Sequence, residues 1–308
     1  MYNWTRPQGC RERHIACRDA LKESDRVSIS SKSSDLTKLC GSIADDCIES
    51  VIDTYFRHGR AAYDIGHPNH DPFPLPHMYG YLTEESVLSA LGVPVNYTEI
   101  AGAVAKGFVN SYDIDDGSFL ESVAYLLDAG VKVHLMYGDR DYMTSWVGGE
   151  RVSLAIQHRR AADFAAAGYA PLVTADAGVK GMTRQHGNLS FSRVFQSGHE
   201  VPTYQPVAAH EIFRRAMFNL DIATGLVPVT NDLATVGPRD IWHVKNVPPK
   251  MPAPRCYVLK PITCLPDVWE TVSRGTAVVK DWFVVSEDSV DIGHVEAAND
   301  GAQLSEEL

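Results

Sequence analysis

The sequence predicts an α/β fold on three observations. Two runs with strand character, Val131 to Tyr137 and the alternating Ser190 to Phe195, each break into a loop at a glycine, Gly138 and Gly198. A stretch of helical periodicity follows each one, from Ser145 onward with Trp146, Val152, Leu154 and Ile156, and from Gln205 to Leu220. A further amphipathic helix, Phe119 to Ala129 with Val123, Leu126 and Leu127 on one face, precedes the first strand and stops at Gly130. Helices that alternate with strands imply a sheet covered by helices.

The loops after the two strands carry the candidate chemistry. Tyr137-Gly-Asp-Arg-Asp-Tyr142 places an acid at one strand end, and Gln196-Ser-Gly-His-Glu-Val-Pro202 places a histidine at the other. Carboxyl ends of strands in open α/β sheets are where rigidly held loops gather functional groups. An aspartate after a strand-ending glycine is ordinarily a turn residue, and a lone Gly-His is ordinarily a surface histidine. Together they follow the order acid then histidine, the second and third members of the Ser…Asp…His order of α/β-hydrolases.

The run Gly-Asp-x-Asp…Trp-x-Gly-Gly-Glu at 138–150 and the run Ser-Gly-His-x-Val-Pro-x-x-Gln-Pro at 197–206 resemble the secreted serine carboxypeptidases, particularly those of filamentous fungi. Tyr63-Asp-Ile65, Asp71-Pro-Phe-Pro74 and Leu91-Gly-Val-Pro-Val-Asn96 extend the resemblance, which covers about residues 9 to 285. It implies a partial α/β-hydrolase fold with a helical lid insertion, in which the two strands are the last two of the sheet. Asp141 is then the triad acid and His199 the general base, acting on peptide or protein C-termini without a cofactor.

Composition bounds the alternatives. The 308 residues are 44% apolar, enough for a sizeable core, and a net charge of −11 with no basic cluster excludes nucleic acid and anionic membranes as expected partners. No apolar run approaches the ~18 residues of a membrane span, and Met1-Tyr-Asn-Trp-Thr-Arg-Pro7 has no signal-peptide core. Sequons at Asn3, Asn96 and Asn188 nevertheless point to the secretory route, as do the six cysteines, and the family resemblance adds to them the expectation of a secreted or vacuolar location.

Taken in order, residues 1–95 read as a helical lid, 96–225 as the C-terminal part of the hydrolase core and 226–308 as a Pro- and Gly-rich extension. Helices are expected over Arg11 to Leu21 and Asp35 to His58. Cys10 and Cys17 are seven apart, as are Cys40 and Cys47, so each pair shares a helix face. Antiparallel helices give nested bridges, Cys10–Cys47 and Cys17–Cys40; four buried free thiols or a zinc site are the alternatives. The cluster His67, His70 and Asp71 lies in a proline-rich loop and is read as solvated turn chemistry, with no metal. A capped helix is expected from Tyr79 to Leu91, with Thr83 before Glu84 and Pro94 ending it. A hairpin is expected around Leu172 to Gly178. Cys256 and Cys264 suit a short third bridge, Asp281 to Val285 an edge strand, and the acidic last twenty residues are expected to be mobile.

No Gly-x-Ser-x-Gly pentapeptide occurs in these residues, nor the Gly-Glu-Ser-Tyr-Gly-Gly and Asn-Gly-Gly-Pro-Gly segments of the resembled family. Ser197 precedes the histidine in a turn with no nucleophile elbow. The expectation is a truncated chain beginning after the nucleophile and oxyanion hole, inactive alone; the alternative is a non-catalytic binding or inhibitory remnant of the fold.

Overall fold

A computed structural model describes residues 9–24, 59–68, 78–98, 101–111, 119–176, 178–244 and 255–285, with Cys40, Gly41, Ile43, Cys47, Val51, Tyr55 and Arg57. Contacts divide the chain into two units. The first comprises Met1–Arg60, Asn69–Phe119 and Pro254–Val284; the second comprises Ala61–Pro68, Leu120–Ala253 and Val285–Leu308.

In the first unit α1 (Cys10–Ser24) presents Cys10 and Cys17 two turns apart. Cys10 pairs with Cys47 and Cys17 with Cys40, at Cα separations of 5.6 and 5.3 Å, and the four sulfurs pack with Ile43 and Val51. The 23-residue separation of the inner bridge constrains the unfolded chain by about 3 kcal/mol on the loop-entropy account. Most of the helix expected over 35–58 lies outside the described residues, as do His70, Asp71 and the acidic C-terminus. The single helix expected from Tyr79 is two: α2 (Met78–Tyr81) and α3 (Glu85–Leu91). The Thr83 hydroxyl donates back to the carbonyls of Tyr79 and Gly80, at 2.7 and 3.0 Å, so it closes α2 instead of capping a continuous helix. Gly92, not Pro94, ends α3. After α4 (Gly102–Ser111), the unit resumes at Cys256, bridged to Cys264. Its last segment holds α10 (Pro266–Ser273) and a two-stranded ladder of β5 (Val279–Lys280) and β6 (Phe283–Val284). Asp281 and Trp282, at φ 52° and 68°, make the turn between them, so the expected strand over 281–285 shrinks to the return arm of a hairpin.

The second unit runs α5 (Phe119–Asp128), β1 (Val133–Gly138), α6 (Trp146–Ala155), α7 (Ala161–Ala166), β2 (Tyr169–Val173), β3 (Val179–His186), β4 (Leu189–Val194), α8 (Val201–Tyr204) and α9 (Pro206–Met217). The sheet order is β1-β4-β3-β2, with β1 parallel to β4 and the remaining pairs antiparallel. The hairpin of β2 and β3 therefore extends the sheet beyond β4, and the two motif-bearing strands are not its last two. The chain reaches β4 through that hairpin, which adds its strands on the outer side first.

Helices cover both faces of β4. Leu189 and Phe191 pack with Leu127 of α5, Ile156, Phe164 of α7, Tyr169 and Ile241, while Val194 joins Leu172, Val201 and Ala208 and Ile212 of α9. Each such side chain contributes on the order of 1.5–3 kcal/mol of burial. The alternation in β4 suggests one wet face, yet all six residues are buried. The serines are accommodated by hydrogen bonds: Ser192 to the Thr183 hydroxyl at 2.6 Å and Ser190 to His134 Nδ1 at 2.8 Å.

Candidate active site

β1 and β4 end level, with Gly138 opposite Val194, so their loops leave the sheet side by side. The Asp139 amide donates to the Val194 carbonyl at 2.9 Å and the Arg140 amide to the Ser197 carbonyl at 2.8 Å. A Cβ at position 138 would lie 2.1 Å from the Gly198 carbonyl oxygen, so only glycine permits this crossing. Behind it, Trp146 at the start of α6 packs on the Arg193 guanidinium at 4.3 Å and on Trp242 at 5.2 Å, and Glu150 accepts from the Tyr169 hydroxyl at 2.6 Å. Those contacts account for the Trp and Glu of the 146–150 motif as anchors of the helix that follows the acid. Burial and the Glu150 bond both push the Tyr169 phenol up.

The crossing brings His199 to Asp141 across 58 residues of sequence, with Nδ1 2.7 Å from Oδ2. Asp141 is 5% exposed and the imidazole 42% exposed, so a shielded acid backs an accessible ring. A carboxylate at Nδ1 selects the tautomer with its proton there, leaving Nε2 as the acceptor. Thr144 closes the pair: its amide donates to Asp141 Oδ1 at 3.1 Å, its hydroxyl donates to Oδ2, and its Oγ1 lies 3.0 Å from His199 Nδ1. The Tyr63 carbonyl accepts from the His199 amide at 2.8 Å, and the Tyr63 ring stands 5.0 Å from the imidazole.

The other candidates fall elsewhere. Asp139 faces the Ser197 amide at 3.4 Å and Arg193 at 3.8 Å, and its side chain is fully buried. Ser197 is buried, with its hydroxyl donating to the Gly198 carbonyl at 3.2 Å, so it presents no nucleophile to His199. Glu200 accepts from Thr203 at 3.4 Å on its own short helix. Asn96 is exposed, Asn188 donates its side-chain amide to the Gly130 carbonyl at 2.9 Å, and Asn3 lies outside the described residues. Nothing local in the sequence marks Thr144, Arg140 or Tyr204 for the site, and Asp64 is marked only by its place in the Tyr63-Asp-Ile65 motif. Among the described residues no group of three or more His, Cys, Asp or Glu side chains is placed to hold a metal, and no helix is long and apolar enough to cross a membrane.

The family model for serine carboxypeptidases matches residues 4–219. The chain belongs to the serine carboxypeptidase family. It is 42% identical over 287 residues to carboxypeptidase S1 homolog A of Trichophyton rubrum, covering 91% of this chain and 44% of that protein. With carboxypeptidase S1 homolog B of Arthroderma otae it shares 40% identity over 296 residues, covering 93% and 45%. A solved structure, the prohormone-processing carboxypeptidase Kex1(delta)p of Saccharomyces cerevisiae, aligns with TM-score 0.47 and 12% identity over 73% of this chain and 50% of that one. This serine carboxypeptidase chain thus spans somewhat under half the length of the curated relatives it matches. Its mixed sheet with helices on both faces has α/β architecture.

Proposed function

We propose that this chain carries the acid and the base of a serine-type carboxypeptidase that hydrolyses the last peptide bond of a polypeptide. The observation that carries the reading is the 2.7 Å contact of His199 Nδ1 with buried Asp141, which leaves Nε2 as the ring's acceptor on an exposed imidazole. In this reading Nε2 takes the proton of a serine hydroxyl as it attacks the scissile carbonyl, and returns it to the leaving amine. Asp141 holds the tautomer and stabilises the imidazolium. The serine and the donors for the oxyanion come from outside these 308 residues, which contain no Gly-x-Ser-x-Gly, so this stretch by itself is expected not to release amino acids. The natural setting is secreted or vacuolar, in keeping with the three disulfides, and Asn96 is an exposed sequon available for glycosylation.

The test is a chimera in which this chain replaces the matching part of the Trichophyton rubrum relative. The expected result is release of C-terminal residues from peptides, abolished by His199→Ala. A chimera that folds and cleaves equally well with His199→Ala sinks the proposal.

A further inference from the structure

The segment Ala62–Ile65 lies far from both motif loops in sequence, yet it runs between them. The Ala62 carbonyl accepts from the amides of Tyr142 and Met143, each at 3.0 Å, on the acid side. The Tyr63 carbonyl accepts from His199 on the base side, and the Ile65 amide donates to the Arg140 carbonyl at 2.9 Å. Asp64 stands at the centre of this stitching and is 1% exposed. Its Oδ1 accepts from the Gly66 amide at 2.8 Å and its Oδ2 from Arg140 Nη2 at 3.0 Å; His67 Nε2 is 3.5 Å from Oδ2, and the Tyr204 hydroxyl also donates to the carboxylate.

Two of these partners, Arg140 and Tyr204, tie down different pieces of the acid–base pair. Arg140 directly precedes Asp141, and its second nitrogen, Nη1, donates to Gln196 Oε1 at 3.1 Å. Gln196 stands three residues before His199 in the left-handed region, φ 53°, a conformation that a non-glycine side chain keeps only when something holds it. Tyr204 closes α8, which begins two residues after His199, and packs under the Arg140 guanidinium at 5.4 Å. A Cβ at Gly198 would lie 2.4 Å from the Tyr63 carbonyl oxygen and 2.9 Å from Asp64 Cβ, so the histidine loop is pressed against this segment with no slack. Burial pushes the Asp64 carboxyl up against the opposing pull of Arg140, so the fold keeps a group whose charged form is costly there. A buried ion pair adds little to stability, and its best-attested use is to select one arrangement.

We propose that Asp64 is a positioning residue for the acid–base pair: through Arg140, Gln196 and Tyr204 it sets the distance and angle between the Asp141 and His199 loops. The inference rests on the acid–base reading above, and extends it to a group that touches neither substrate nor reacting atoms.

The test uses the full 308-residue chain labelled with ¹⁵N-histidine and reads the His199 Nδ1 proton, visible by NMR while its hydrogen bond to Asp141 persists. Asp141→Asn is the reference, and is expected to abolish that resonance; its survival there means the acid–base reading itself is wrong. Asp64→Asn is expected to broaden the resonance beyond detection while the His134 signals, at the other end of β1, stay in place and report a folded sheet. Arg140→Lys, which keeps a cation beside Asp64 but loses the second bond to Gln196, is expected to broaden it less than Asp64→Asn does. If Asp64→Asn does not fold, Tyr204→Phe removes a single donor, and faster exchange of the same proton is expected. A folded Asp64→Asn chain with an unaltered resonance, or Tyr204→Phe with unaltered exchange, overturns the inference while leaving the Asp141–His199 pair intact.

Discussion

β1 has a histidine near its start, His134, and leads at its end to the acid that meets a second histidine, His199. The two ends are built on opposite terms. At the C-terminal end Asp141, Thr144, Arg140 and Asp64 each have hydrogen-bond partners, and the His199 ring is backed by a carboxylate and open on its other side. At the N-terminal end His134 and Lys132 line a cavity of about 280 Å³ bordered by Val131, Met217 and Leu220. There His134 Nε2 and Lys132 Nζ are buried with no hydrogen-bond partner among the described residues. Burial alone, without a compensating acid, pushes His134 down to about 4 and Lys132 below its ordinary value. A histidine in this fold gains a carboxylate partner only through what the loops bring to it. Depth in the sheet only silences it.

The largest test of that contrast is catalytic. In the chimera with the Trichophyton rubrum relative, His199→Ala or Asp141→Ala is expected to lower kcat/KM by about 10⁴-fold or more, and His134→Phe to leave it within a few-fold, as steady-state assays on a C-terminally blocked and an unblocked peptide will show. Equal losses at both histidines break the comparison.

Stability against pH is the next largest effect. The folded pKa of His134, about 4, lies below its ordinary 6.5, so the unfolded chain takes up the proton first. This group's contribution is full above about pH 6.5 and is lost as pH falls toward 4, by about 3 kcal/mol in total. Urea midpoints between pH 7 and 4 are expected to fall for the native chain and to flatten in His134→Phe. An unchanged slope means that His134 is hydrated.

Thr144→Val sharpens the other end. Removing the hydroxyl that bonds Asp141 and touches His199 Nδ1 is expected to lower kcat about tenfold with KM unchanged, since one charge-assisted hydrogen bond is lost in the pair. A change confined to KM assigns Thr144 to substrate binding instead. The smallest effect is expected at the β3–β4 turn: Asn188→Ala loses the bond to the Gly130 carbonyl and about 1 kcal/mol of stability, readable as a shift in urea midpoint equal in glycosylated and deglycosylated material if this amide carries no glycan.

Local pattern exposed much of this fold. Periodicity located α5, β1, α6, β4 and α9, with Pro206 opening α9 where a missing amide costs nothing. The two-turn spacing of the cysteines matched a face of α1. Some departures were local, such as the Thr83 bonds that split α2 from α3 and the left-handed turn at Asp281 and Trp282; the rest came from non-local partners. α7 is a short Ala-rich turn held by burial of Phe164 and has no periodic signature. The serines of β4 look solvent-facing until Thr183 and His134 supply their bonds. The place of β2 and β3 outside β4 depends on strand pairing, which leaves no mark on either strand taken singly.

The sequence by itself determined that an acid and a histidine follow two strands in triad order, and family motifs singled out the second aspartate. Only the tertiary structure decided which aspartate reaches the histidine: the parallel register of β1 and β4 sends Asp139 inward to Arg193 and carries Asp141 past the crossing to His199. It alone brought Thr144 onto the pair and Asp64 beneath it, because a hydrogen bond acts over about 3 Å of space and the chain's order does not record which distant residues come that close.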